Sequence, residues 1–177
     1  MDELRDLLDH KNGFYGFESA LHVLPFETKG SDIGLLEWNR KDLWIGSYED
    51  LALDGVYFAE DIFGGQFCLS YDGIYTFDPE TGNSEKISSN IEGWCNAILN
   101  DADFLTGYTL AHSWQKKYGV ILSGHRLIPK IPFTLGGDFD LENLYMEKSH
   151  IAMRTRSNIA IQIRNSQDGE SVKISFQ

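Results

Sequence analysis

Cysteine is scarce in these 177 residues: Cys68 and Cys95 are the only two, and proline occurs four times. Two thiols are too few for a disulfide framework, and they have no metal-ligand spacing, so a reducing environment is expected. No window approaches the roughly 20 apolar residues that span a bilayer. The acidic start Met1-Asp2-Glu3-Leu4-Arg5-Asp6 lacks the apolar run of a signal peptide. Glycosylation acceptors of the N-x-[ST] type and lipidation signals are also missing. Together these absences lead to the expectation of a cytoplasmic protein. Repeats, low-complexity tracts and Pro/Gly/Ser linkers are absent too, which suits one domain.

Positive charge is the other shortage. Lys and Arg number 15 against 27 Asp and Glu, a formal net charge of −12, with an isoelectric point near 4.7. The imbalance is one-sided: residues 1–100 hold 19 acidic and 6 basic side chains, residues 101–177 hold 8 and 9. Such a field repels nucleic acid and anionic lipid and attracts basic partners, although solubility alone accounts for the acidity of many proteins. Arg154, Arg156 and Arg164 form a basic cluster too sparse to argue for nucleic acid.

What is abundant is aromatic. Eleven Phe, eight Tyr and four Trp accompany a 42% hydrophobic content, enough for a sizeable core at roughly 150–250 Å² buried per ring. Leucines at 4, 7 and 8 predict a helix over 2–10, stopped by Lys11-Asn12-Gly13. A second short helix is expected over 14–23, closed by Pro25, and irregular helical pieces at Leu35–Trp38 and Leu43–Ile45. Gln66–Tyr71 and Ile74–Phe77 read as a hairpin across Asp72-Gly73, a two-residue type I′ signal. That turn puts Leu69 opposite Thr76 and Cys68 opposite Phe77; both faces are partly apolar, so the ribbon belongs inside a sheet. Val56–Ala59 and Ser84–Ile87 read as the flanking strands of an antiparallel meander.

Ser89-Asn90-Ile91-Glu92 reads as a capping box, opening an amphipathic helix with Ile91, Trp94, Cys95, Ile98 and Leu99 on one face. Phe104, Tyr108, Ala111, Trp114 and Tyr118 repeat the pattern up to Gly119. Beyond it, Val120–Leu122 suggests a short strand. Pro129 and Pro132 force an extended path, and Gly136-Gly137 makes a turn. Leu141–Tyr145, Ile159–Ile163 and Val172–Phe176 read as strands, the last two joined by a turn at Asp168-Gly169.

Reaction chemistry finds little support. Cys68 and Cys95 sit on apolar patterns and read as core residues; neither they nor His10, His22, His112, His125 and His150 lie in a nucleophile signature. Asp138, Asp140 and Glu142 alternate, as carboxylates on one strand face would. An EF-hand reading fails, because its sixth and twelfth positions fall on Asn143 and Ser149. A solvated face with Phe139 and Leu141 turned inward is the simpler expectation. Gly64-Gly65 lacks a phosphate-cradle context and is expected to turn the chain into the Gln66 strand. No metal, cofactor or catalytic residue is expected.

Several segments resemble the SUKH superfamily, which includes fungal cell-wall regulators and bacterial immunity proteins. The carriers are Phe17–Val23, Leu35-Leu36-Glu37-Trp38-Asn39, Phe58–Phe67, Phe77-Asp78-Pro79-Glu80-Thr81-Gly82 and the helix around Trp94. Leu105-Thr106-Gly107, Arg126–Phe133, Gly136-Gly137 and Asn143-Leu144-Tyr145 echo a bacterial subset. The resemblance implies an α+β fold with a curved, mainly antiparallel sheet flanked by helices. It implies a core over about 14–104 and no enzymatic activity; residues 105–177 go beyond that core and are expected as an extension packed on the same sheet. The expected function is neutralisation of a cognate protein toxin, such as a nuclease, by a monomer; a regulatory scaffold binding a signalling or envelope partner is the alternative. Glu49, Asp50, Asp54, Glu60 and Asp61 are the expected contact residues. Trp38, Phe58, Gly64, Phe67, Gly73, Trp94, Trp114, Pro129, Pro132 and Gly136 are the expected structural positions.

Overall fold

The computed structural model describes residues 2–166. The expected strand at Val172–Phe176 and the turn at Asp168-Gly169 lie outside them. Helix α1 (Asp2–His10) opens with Asp2 and Glu3, closes with His10 and buries Leu4 and Leu8, an arrangement that complements the helix dipole.

The helix expected over 14–23 is a hairpin instead, β1 (Phe14–Gly16) and β2 (Leu21–Val23). Its tip places three successive non-glycine residues at positive φ: Phe17 at 49°, Glu18 at 51° and Ser19 at 72°. Tertiary contacts impose this costly backbone. Gln115 Nε2 donates to Glu18 O at 2.7 Å, His112 Nδ1 meets the Glu18 carboxylate at 2.8 Å, and Arg126 Nη1 donates to Ser19 O at 3.1 Å. Every residue of β2 is buried, which a half-exposed helix could not achieve.

After the short α2 (Leu35–Trp38) and a 3-10 turn at Ile45–Tyr48 come β3 (Val56–Glu60), β4 (Gln66–Ser70), β5 (Gly73–Phe77) and β6 (Ser84–Ser88). With β1 and β2 they form a six-stranded antiparallel meander in sequence order, an open sheet. The β4–β5 ribbon is internal, as its two apolar faces require. Its register differs from the expected one: Ser70 pairs with Gly73, Leu69 with Ile74 and Cys68 with Tyr75, so the tip is Tyr71-Asp72. Lys86 Nζ donates to Asp72 O at 2.6 Å, and Tyr75 Oη donates to the Asp72 carboxylate at 3.0 Å. Gly73 serves β6: at φ 156° the Ser88 carbonyl oxygen lies 2.3 Å from where a Cβ would stand. The slip moves each partner by two residues, so every side chain keeps its face.

Helix α3 (Ile91–Asn100) is capped by Asn90, whose side chain accepts from Gly93 N at 2.8 Å; Ser89 does not cap it. Glu3 of α1 accepts from Ile91 N at 2.8 Å, taking another free donor of the first turn. Ile91, Trp94 and Ile98 are buried, while Leu99 is 72% exposed, so the stripe is narrower than expected. The next expected helix is split into α4 (Ala102–Thr106) and α5 (Tyr108–Tyr118). The break is Gly107 at φ 70°, where Ile62 and Phe63 side chains fill the space of a Cβ.

Val120–Leu122 forms no strand. Strands β7 (His125–Pro129) and β8 (Leu144–Lys148) make a separate two-stranded sheet, tied to the β3–β4 turn by Leu127 N donating to Ile62 O at 2.8 Å. Pro132 leads into a 3-10 turn at Phe133–Leu135, ended by Gly136 at φ 90°; a second 3-10 turn occupies Leu141–Asn143, where a strand was expected. The strand expected at Ile159–Ile163 belongs to α6 (Ser149–Arg164). Alternating isoleucines mimic a strand there, but burial at Ala152, Met153, Arg156, Ser157, Ile159 and Ala160 follows the helical period.

The core lies on both faces of the large sheet. On one, Trp38, Trp44, Tyr48, Tyr57 and Phe77 pack with Met153 of α6, and Trp38 Nε1 donates to Gln66 Oε1 at 2.9 Å. On the other, Trp94 meets Phe58 at 4.9 Å and Phe67 at 5.5 Å, both edge to face. A smaller cluster under the second sheet gathers Ala20, Ile62, Ala111, Ile121, Leu127 and Leu144, with Trp114 packed against it. Pro129 is buried and Pro132 half-buried. No helix among the described residues is long and apolar enough to cross a membrane.

Candidate functional site

The turn between β3 and β4 builds one wall of a cleft of about 550 Å³. Asp61 Oδ1 accepts from Phe63 N at 2.7 Å and Gly65 N at 2.8 Å, closing the turn on itself. Gly64 adopts φ 79°, and Arg156 Nη2 lies 2.5 Å from where its Cβ would be. The turn therefore wraps the buried guanidinium, which donates from Nη1 to Phe63 O at 2.6 Å and from Nε to Ala152 O at 3.3 Å.

The loop after β7 supplies the facing wall. The bend at Gly136-Gly137 brings Phe133 and Phe139 into a stack, centroids 3.8 Å apart and planes 7° from parallel. Phe63 meets Phe133 edge-on at 5.3 Å. The β5–β6 turn adds Asp78, Pro79 and Glu80. Glu80 is 3% exposed; its Oε2 accepts from Thr134 N and Oγ1, each at 3.0 Å, and its Oε1 has no partner among the described residues. Phe104 of α4, with Phe67, Thr76, Glu85 and Ile87, completes the lining. Phe104 is 83% and Phe139 64% exposed, so the expectation that Phe139 turns inward as part of a strand is corrected. Burial pushes the Asp61 carboxyl up to about 7, against the pull of the Gly65 and Phe63 amides and the Arg156 charge.

The five expected contact residues do not form one surface. Glu60 is buried at 1% exposure and cannot touch a partner. It meets Arg126 Nε at 3.0 Å and His22 Nδ1 at 3.1 Å, and it accepts from Ser149 Oγ at 3.0 Å. Burial pushes its carboxyl up, but Arg126 and His22 outweigh that and hold it at about 2. A paired interior site was invisible in the sequence because its members lie on β2, β3, β7 and α6. Asp61 faces the cleft. Glu49 and Asp50 are exposed but paired with Arg164, through Nη2 at 2.7 Å and Nη1 respectively. Asp54 is exposed at the opposite end of β3 from Glu60.

The cleft's Glu80, Phe133 and Phe139 were not singled out as functional. Two phenylalanines flanking a Gly-Gly bend were the available signal, because the bend lets rings six residues apart stack. The thiols lie elsewhere. Burial, with help from Asp54, pushes Cys68 up to about 12, and burial raises Cys95 as well. No cysteine–histidine contact occurs among the described hydrogen bonds and ion pairs. Iodoacetamide at mildly alkaline pH should therefore leave Cys68 unmodified in the native protein and modify Cys95 slowly, read by intact mass. Fast labelling of Cys68 would contradict its placement.

No family model matches the chain, and no curated protein matches it. Among solved structures, the crystal structure of Atu4351 from Agrobacterium tumefaciens is similar, with a TM-score of 0.55 and 13% sequence identity over 89% of this chain and 75% of that one. At this identity the likeness speaks to the fold alone.

Proposed function

We propose that this chain is a non-catalytic immunity protein that binds a basic toxin domain, such as a nuclease, in the cytoplasm and neutralises it, and that it belongs to the SUKH superfamily. The observation that carries the reading is the cleft: its charged lining is acidic, with Arg156 the one cation among the lining residues, while Phe104 and Phe139 stand exposed beside it. Phe104 is 83% exposed and Phe139 keeps most of its surface open although one face stacks on Phe133, and exposed aromatic groups beside a cleft mark contact sites. The acidic excess of residues 1–100 adds long-range attraction for a basic surface. An acidic protein seated on a nuclease's substrate groove would take the place of phosphates.

The test is co-expression with the product of the neighbouring gene, assayed as a toxin. Restored growth together with a stoichiometric complex is expected. Neither protection nor complex would refute the reading, and a complex without protection would favour a scaffold.

A further inference from the structure

We propose that the cleft receives an arginine side chain of the basic partner, its guanidinium held between the phenylalanine rings and the carboxylates of Glu80, Glu85 and Asp61. This deepens, and rests on, the reading above. Four carboxylates line the cleft, Asp61, Asp78, Glu80 and Glu85, against the single cation Arg156. Arg156 spends its Nη1 and Nε on the carbonyls of Phe63 and Ala152. An anionic guest is thus excluded by charge.

Unused acceptors then define the guest. Glu80 is more than nine-tenths buried and its Oε1 has no partner among the described residues. Leaving a buried carboxyl oxygen unmet is costly, so a donor from outside stabilises the folded site. Asp61 uses Oδ1 for two backbone amides, and its Oδ2 makes no hydrogen bond among the described residues. The fitting partner carries several donors, no acceptor, and a flat cationic face for the rings. Guanidinium has all of these; an ammonium is a strongly hydrated point charge that serves fewer acceptors at once.

Arg156 opposes a second cation, and Asp61 is the group that offsets it. With its carboxyl pushed up to about 7, Asp61 ionises when a cation arrives, so binding releases a proton and tightens as pH rises through neutrality. The charged groups facing it are Arg156 on α6, Arg126 on β7, and Asp78, Glu80 and Glu85 across the cleft. No histidine lines the cleft to produce the same dependence.

The experiment titrates the whole chain with acetyl-Gly-Arg-Gly-amide and with its lysine and citrulline counterparts, followed by amide NMR and calorimetry. Saturable shifts at the Phe63, Gly65 and Thr134 amides are expected for arginine, with weaker binding for lysine and none for citrulline. Glu80→Gln keeps an acceptor for Thr134 and should weaken the arginine peptide about tenfold; Glu85→Gln, an exposed change, should weaken it less. Equal binding of arginine and lysine with shifts scattered over the acidic surface would overturn the proposal, as would unchanged affinity in both variants. If the chain neutralises its toxin while the peptide finds no cleft, the arginine seat fails and the functional reading stands. If the peptide occupies the cleft while no toxin complex forms, the seat stands and the functional reading fails.

Discussion

Replacing Glu60 with leucine is expected to destabilise the fold by about 3–5 kcal/mol, read as a lower denaturation midpoint at unchanged slope. The loss comes from what remains. Arg126 is fully buried; its Nη1 donates to Ser19 O, its guanidinium lies 5.4 Å from the centre of the Tyr15 ring, and its Nη2 has no partner among the described residues. Without Glu60 its charge loses the carboxylate it touches in the interior. Adding Arg126→Met to Glu60→Leu should recover most of the loss, because a buried pair replaced by apolar groups is close to neutral. A cost under about 1 kcal/mol for the single variant would show that the pair does not hold these strands together.

The same carboxylate shapes the acid limb. Its folded value, about 2, lies below the ordinary 4.5. The stabilisation is therefore complete above the unfolded value and is lost as pH falls from 4.5 through 2. Across that window Glu60→Leu should lose stability less steeply than the parent chain.

Glu85→Lys is expected to slow association with a basic partner about tenfold at low salt and to flatten the salt dependence, with thermal stability unchanged. Glu85 is exposed beside the cleft, and its side chain makes no hydrogen bond or ion pair among the described residues, so reversal changes the field without breaking a contact. Asp54→Lys, beyond the other end of β3, should slow association less. Reversing Glu49 or Asp50 is a poorer test, because each is paired with Arg164 and the change would also disturb the end of α6. Stopped-flow rates that are equal for Glu85→Lys and the parent chain would remove the cleft from the docking surface.

The meander was legible because its strands are short, apolar on both faces and separated by turn residues, signals that depend on near neighbours alone. Even the β4–β5 error was benign, since a shift of two residues preserves which face each side chain occupies. The N-terminal hairpin was misread for the opposite reason. Nothing local in Phe17-Glu18-Ser19 announces three left-handed residues; the contacts that hold them come from α5 and β7, about 90 residues or more away. Helix α6 was misread because three alternating isoleucines outweighed the longer helical stripe beginning at Ala152.

Asp61 was named from the sequence, but as an exposed charge on a loop. Its neighbours in the cleft come from separate stretches, around Glu80, Glu85, Phe104, Phe133–Phe139 and Arg156, which no periodicity connects. Composition and order alone settled the acidity, the aromatic core, the antiparallel meander and the absence of any recognisable reaction motif, because these follow from residue counts and neighbouring turns. Which carboxylates are sealed inside, which are paired on the surface and which face an open cleft was decided by packing. Charge burial depends on what arrives from distant segments, and that information exists only once the chain has closed on itself.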